Sequence, residues 1–443
     1  MSLADQASLL LIPSGYKSQK LYSIFPTNGV GDFDFSRSGS ATRIAQNGLI
    51  TTVDSNVPRL NYPMIDGKVV GCPHHILEPQ RTNLVTYSED FSNSYWTKSG
   101  VSETSGFISP DGTANAFKLV EDTSSGNHKI LPTSTISGVA GSYYSFSVYV
   151  KKKGSTRHIY WMCQRSGDAI YAHFDMNSYS VSQVASAGTG SNASASITSV
   201  GNDWYRISLS GIVSTIASLT FYNQFYLSDT VGSGFTPQSY TGDGTSGFYL
   251  WGWQVEQGSY PTSYIPTSGS ATTRSAETAN NSGDASTFNS SEGVLMVEVS
   301  ALADDNTDRK IGIVQGSTQN QVSIGYSIST KKIRAITYDG AVKGETFTNV
   351  YDVLSSNKVA YKYKSGDNVL WVNGFALDTS TNTNILDGVT LNSLNFNASN
   401  SDFYGNTKQI QYYNSALTDS ELEQLTSWTS FTDMANGQLY TIE

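Results

Sequence analysis

The sequence predicts an all-β chain in which a small irregular β module precedes two antiparallel β-sandwiches of the jelly-roll kind. Three observations carry that expectation. Alternation of apolar and polar residues with period two is the dominant pattern along most of the chain, as sheet strands with unlike faces require. Turn pairs such as Asn28-Gly29, Asn47-Gly48 and Asp66-Gly67, each able to supply a positive φ, punctuate the alternating runs. Charged residues make up only 14% of the chain, against roughly 25% in an average soluble protein, and Gly 39, Tyr 27 and abundant Ser, Thr and Asn take their place.

With 443 residues the chain is long enough for more than one core. Residues 1–80 hold short β-like runs, LYSIF and GLITTV, broken by turn pairs and prolines. A stretch of this kind buries little apolar surface by itself, so it is expected to need a neighbour or symmetry copies, and a homotrimer follows as the simplest arrangement. Residues 81–267 read as one sandwich, with strands at AFKLV, YYSFSVYVK, HIYWMCQ, AIYAHFDM, SASITSV, WYRISLSGIV, LTFYNQFYL and FYLWGWQVE separated by turn signals. The last of these closes the domain. There Phe248, Leu250, Gly252 and Gln254 alternate with Tyr249, Trp251, Trp253 and Val255, placing both tryptophans on one face, and Pro261 and Pro266 end the run. Residues 268–292, SGSATTRSAETANNSGDASTFNSSE, lack large apolar side chains except Phe288 and read as a linker lying on a surface. Residues 293–443 alternate again through VLMVEVSAL, KIGIVQG, QVSIGYSI, KIRAITYDG, VAYKYK, NVLWVNGFAL and KQIQYYN. The stretch Thr418-Asp419-Ser420-Glu421 is a capping box that opens a short helix.

Two long stretches carry a resemblance. FSRSGSATRIAQNGLITTVDSNVPRLNYP, Phe35 to Pro63, and GCPHHILEPQRTNLVTYSEDFSNSYWTKSG, Gly71 to Gly100, resemble a module of tailed-bacteriophage structural proteins, whose Leu-Glu-Pro-Gln-Arg-Thr-Asn-Leu signature falls here on Leu77 through Leu84. His74 and His75 depart from the small or apolar residues of that family. Asp203-Trp204-Tyr205-Arg206 and the Trp251 to Glu256 strand resemble carbohydrate-binding-module jelly rolls of phage proteins, and Val369 to Gly374 with Ile410 to Leu425 resemble a concanavalin-A-like, laminin-G-type jelly roll. The resemblance implies a virion protein, a fibre, spike or decoration, anchored to other virion proteins through residues 1–80 and displaying glycan-binding domains to host or environmental polysaccharide. Glycan-degrading depolymerase and purely structural spacer are the alternatives.

Composition excludes some partners. The net charge of −10 gives no basic surface for nucleic acid, the largest basic cluster being Lys151, Lys152 and Lys153. The run LLLI near the N-terminus is too short for a membrane span or a signal sequence, so synthesis in a cytoplasm and no membrane insertion are expected. Cys72 and Cys163 give no disulfide framework. A sugar platform needs exposed rings, and Tyr160, Trp161, Tyr171 and Trp253 are the candidates. No strand carries two acidic residues at i and i+2, the spacing that a carboxylate pair on one face would use, and no motif for a nucleophile elbow or phosphate loop occurs, so a non-enzyme is expected. No cofactor is called for. Asp304, Asn306 and Asp308 have an alternating oxygen spacing that Ca²⁺ could use, although Arg309 stands close by and no bidentate Glu follows.

Overall fold

The computed structural model describes residues 3–154, 157–316, 320–326, 332–349, 351–383, 386 and 388–438. It is an all-β protein of two sandwiches, as the alternation predicts. In the first, a seven-stranded sheet ordered Trp96–Ser99, His128–Pro132, Thr220–Ser228, His158–Arg165, Asp168–Asp175 and Ser180–Ala187, with Ile136–Ser137 joining Thr220–Ser228, faces a six-stranded one. The six-stranded sheet runs Val101–Phe107, Ala116–Glu121, Gly247–Gln257, Tyr143–Lys153, Trp204–Ile212 and Ser191–Ser199. Alternate residues Phe146, Val148 and Val150 of one sheet meet Ile159, Trp161 and Cys163 of the other to form the core.

The second sandwich is built from both ends of the chain. Its eight-stranded sheet runs Phe375–Ser380, Asn368–Val372, Asn357–Lys364, Glu292–Ala301, Gly405–Tyr413, His74–Leu77 and Leu60–Asn61, and Leu9–Leu11 also pairs with Gly405–Tyr413. A five-stranded sheet of Val342–Thr348, Ile333–Asp339, Asn320–Tyr326, Arg309–Val314 and Ser393–Asn395 covers it. Leu9, Leu11, Phe33, Phe35 and Leu77 share one core with Leu295, Val297 and Ile410. The first 80 residues therefore do not stand apart as a module: Leu9, Leu11, Leu21, Phe33, Phe35, Leu60 and Leu77 are buried in the C-terminal sandwich, and Ile50 packs with Trp204 and Trp251 on the outside of the first. The argument for a trimer, which rested on that surface needing symmetry copies, loses its ground. Thr418 caps the helix Asp419–Thr426 as the capping box predicts, its backbone N–H donating to Glu421 at 2.8 Å.

The first sandwich is thus an insertion in the second. The chain leaves along Arg81–Asn83 and returns along Thr272–Arg274, and these two strands pair antiparallel, Arg81 opposite Arg274. Residues 268–292, expected as a surface linker, instead thread back through the neck: Thr278–Asn280 pairs with Phe33–Ser36, and Arg274, Glu277 and Ser282 are buried. Burying charged residues is costly unless they are paired. Here Arg37 Nη1 and Arg59 Nε donate to Glu277 Oε1 at 2.7 and 2.8 Å, while Arg59 and Arg274 each stand 2.8 Å from Glu78 Oε2. Asn83 adds four bonds in the same neck, donating to the carbonyls of Trp253 and Ile265 and accepting from the amides of Val255 and Val85.

Gly252 alters the closing strand. At φ +66 it makes a bulge opposite Ser147–Tyr149, where the register shifts. One extra residue reverses the alternation, so Trp251 packs outward with Tyr149, Trp204 and Tyr264 while Trp253 turns into the sandwich core. The two tryptophans lie on opposite faces, not on one as simple alternation predicts.

Candidate functional site

An open groove of about 1450 Å³ runs between the two sandwiches. Its floor is the outer face of the six-stranded sheet. In strand register, Ser194, Ser210, Ser145 and Glu256 form one row across four strands, and Ser196, Ser208, Ser147 and Gln254 form the next. Directly opposed residues share a face, so the rows make a ladder of hydroxyls that ends in a carboxylate and an amide. The large residues between them, Phe146 and Leu209, point into the core and force the serines outward. Ser194, Ser196, Ser208 and Ser210 line the groove, with Ser196 and Ser208 hydrogen-bonded to each other at 2.7 Å, whereas Ser145, Ser147, Gln254 and Glu256 are buried, Arg206 donating to Ser147 and Glu256 accepting from Thr262 N at 2.9 Å.

The walls come from both sandwiches. Gln80, Arg81, Tyr260 and Pro261 stand at the neck, the turn Ser137–Ser142 lies on the sandwich side, and Leu302–Asp305 with Leu354 face them from the second sandwich. Ser259 Oγ donates to Asp305 Oδ2 at 3.2 Å, tying the two sandwiches at the groove wall. Burial pushes the Tyr260 phenol up to about 12, so it stays neutral and able to donate across the ordinary pH range. Burial also opposes ionisation of Asp305, but the Arg309 guanidinium, 2.7 Å from its Oδ1, wins and holds the carboxyl below its usual range. The groove can offer hydroxyls, one guanidinium and a ring to a polar ligand in a volume that exceeds the roughly 300–1,000 Å³ of ordinary small-molecule sites.

The residues expected to form a sugar platform are elsewhere, and none is exposed. Trp161 and Trp253 are fully buried in the first sandwich, their ring centroids 5.5 Å apart, with Trp96 4.8 Å from Trp253. A sandwich must fill the space between its sheets, and these indoles do so. Tyr160 and Tyr171 lie on the outer face of the seven-stranded sheet but are roofed by the turn carrying Phe235: the Tyr160 hydroxyl donates to the Phe235 carbonyl at 2.7 Å, and the Tyr171 ring lies 5.7 Å from the Phe235 ring. Stacked on His173 at 4.3 Å, Tyr160 belongs to a small aromatic core.

The loop of Asp304, Asn306 and Asp308 does not form a ring of free oxygens. Asp304 pairs with Lys332 and Asp308 with Lys310 at 3.5 Å, so the carboxylates already face cations. No group of three or more metal-ligating side chains occurs among the described residues. His74 and His75, adjacent on one strand, point to opposite sides: His74 bonds Asn61 at 3.1 Å, and His75 lies between the rings of Phe35 and Phe396.

The sequence did hold a signal for the floor. Ser-Phe-Ser at 145–147 and Ser-Leu-Ser at 208–210 flank one large apolar residue with two hydroxyls, and Ser194 and Ser196 repeat the spacing. No local pattern marks Arg81 or Tyr260, which meet only because the insertion's two ends pair.

No family model and no curated protein matches the chain. Among solved structures, the leech intramolecular trans-sialidase matches at 19% identity over 32% of this chain and 24% of its own, with a TM-score of 0.27. The carbohydrate-binding module CBM40 of the Ruminococcus gnavus IT-sialidase matches at 17% over 33% of this chain and 92% of its own, also with a TM-score of 0.27. The Trypanosoma rangeli sialidase in complex with sialic acid matches at 11% over 93% of this chain and 78% of its own, again with 0.27. This chain thus spans about a quarter of the length of the leech enzyme. The expectation of a non-enzyme is corrected by these matches, which include sialidases, while TM-scores of this size assign no activity in its place.

Proposed function

We propose that this chain is a glycan-binding protein whose site is the groove between its sandwiches. The carrying observation is the groove itself, with its floor of aligned serines, and not an aromatic strand face. Sugars present closely spaced hydroxyls on a ring with an apolar side. A rigid sheet row of hydroxyls matches the first feature, and the Tyr260 ring supplies a surface for the second. Sheet-borne serines lose little entropy on binding, because the strands already hold their backbone and the side chain has one rotor.

The setting we propose, display on a tailed-phage virion, is supported by the resemblance of Phe35 to Pro63 and Gly71 to Gly100 to phage structural proteins. Immunogold labelling of purified virions tests it; absence of label on particles that contain the protein's gene product in the lysate would remove it.

A glycan array probed with the full chain tests the binding. Ser194 is exposed on the groove floor, so Ser194→Trp fills the groove while a strand accepts the ring. Binding that this variant abolishes at unchanged melting temperature is the expected result; binding indifferent to it puts the site elsewhere. Assaying released reducing sugar in the same wells reports whether bound glycan is also cleaved.

A further inference from the structure

We infer that Arg81 makes this groove selective for sugars that carry a carboxylate. The inference rests on the groove being the glycan site and adds the class of sugar. Five arginines are buried, Arg37, Arg59, Arg157, Arg274 and Arg309, and each has a carboxylate against its guanidinium. Arg81 lines the groove and, among the described residues, forms no ion pair at all. It is also held in place. Its guanidinium carbon sits 5.5 Å from the centre of the Tyr260 ring, Nη1 donates to the Gln80 carbonyl at 3.1 Å, and its buried Nε has no hydrogen-bond partner. Gly258 makes the approach possible, since a Cβ there would stand 2.7 Å from Nε.

Gly258 closes the Nε side of this ring-stacked guanidinium, so a carboxylate would be received by the Nη end, where Nη1 has one N–H on the Gln80 carbonyl and a second to give. Asp304 and Asp305, the acidic groups across the groove, are neutralised by Lys332 and Arg309 and leave that positive charge uncompensated. The chain's net charge of −10 opposes indiscriminate polyanion binding, so recognition must come from this short-range contact and the serines beside it. Uronic acids and sialic acids both carry the required group, and they differ in what flanks it.

The test measures affinity of the full chain for oligogalacturonate and for sialyllactose, each against its carboxyl-reduced counterpart. We expect at least one acidic probe to bind, its reduced form to bind about tenfold or more weakly, and Arg81→Gln to erase that difference. Arg81→Lys, which keeps the charge and loses the fork, is expected to fall between. Which acid binds names the source. Equal affinity for acidic and reduced probes, both blocked by Ser194→Trp, overturns the inference and leaves the groove as a neutral-glycan site. Acidic binding that survives Arg81→Gln at unchanged melting temperature overturns it as well. If neither acidic nor reduced probe binds and the array is silent, the glycan reading itself falls and takes the inference with it.

Discussion

Replacing Glu277 by Gln removes one charge from the neck and changes almost nothing in volume. In the native neck both oxygens of Glu277 accept: Oε1 from Arg37 and Arg59, and Oε2 from the Glu78 amide at 3.0 Å, where it also pairs with Arg59. A glutamine keeps one acceptor and turns an NH₂ toward donors, so two buried donors lose their partner. Hydrogen bonds to charged groups are worth roughly 1.5–3 kcal/mol each, and breaking a buried ion pair from one side costs roughly 3–5 kcal/mol. We therefore expect about 3–5 kcal/mol of lost stability in the second sandwich, a fall in Tm of roughly 6 °C or more. Urea and thermal melts of the full chain measure it, with Asp34→Asn as control, because the exposed Lys20–Asp34 pair should be worth less than about 1 kcal/mol. Limited proteolysis should show new cuts near residues 78–83 and 268–277. A Glu277→Gln variant within about 0.5 kcal/mol of the parent would refute the view that this network holds the insertion's neck. The pH dependence has a definite sign. Burial raises the pKa of Glu78 and is outweighed by Arg274 and Arg59, which hold it at about 2. A depressed folded pKa contributes stability that is present above the unfolded value of about 4.3 and is lost as pH falls from there toward about 2.

Three further outcomes follow from the same structure. A fragment beginning at Arg81 is expected to be insoluble or to lack a cooperative melt, because it loses strands Leu9–Leu11 and His74–Leu77 from the sheet beside Gly405–Tyr413, whereas a fragment of residues 81–274 should melt cooperatively. Trp253→Ala should cost roughly 3–5 kcal/mol, read from urea melts, since it empties a site among Trp96, Trp161 and Phe225; a change under about 1 kcal/mol would contradict its place in the core. Burial depresses His75 to about 4, so the unfolded chain takes up its proton first and stability falls as pH drops from about 6.5 toward 4. His75→Phe, filling the same space between Phe35 and Phe396, should reduce the slope of that part of the stability-against-pH curve, the slope that remains coming from His74, which burial depresses to about 3.

The neck also explains the sequence stretch Leu77 through Leu84. Leu77 is in the second core, Glu78 in the ion network, Arg81 at the groove and Asn83 in the first sandwich's closing contacts, so eight residues bridge two domains and these four each have a separate task. A stretch with so many nonlocal obligations reads as irregular when judged by period alone.

What the sequence determined by itself was set by local periodicity: the all-β class, most of the long strands of both sandwiches though not Val101–Phe107, Ser180–Ala187 or Val342–Thr348, and the capping box at Thr418, because alternation and caps act between residues a few positions apart. Tertiary structure decided the rest. That residues 1–80 and 293–417 share one core depends on Leu9 meeting Tyr412 some four hundred positions away, which no window of sequence encodes. That Trp253 faces inward and Trp251 outward depends on one bulge at Gly252, invisible to alternation because a single inserted residue reverses every face after it. The candidate site depends on both effects: the serine rows were written in three strands, but the groove over them exists only because the insertion returns to its own starting point and sets Arg81 and Tyr260 against a second sandwich.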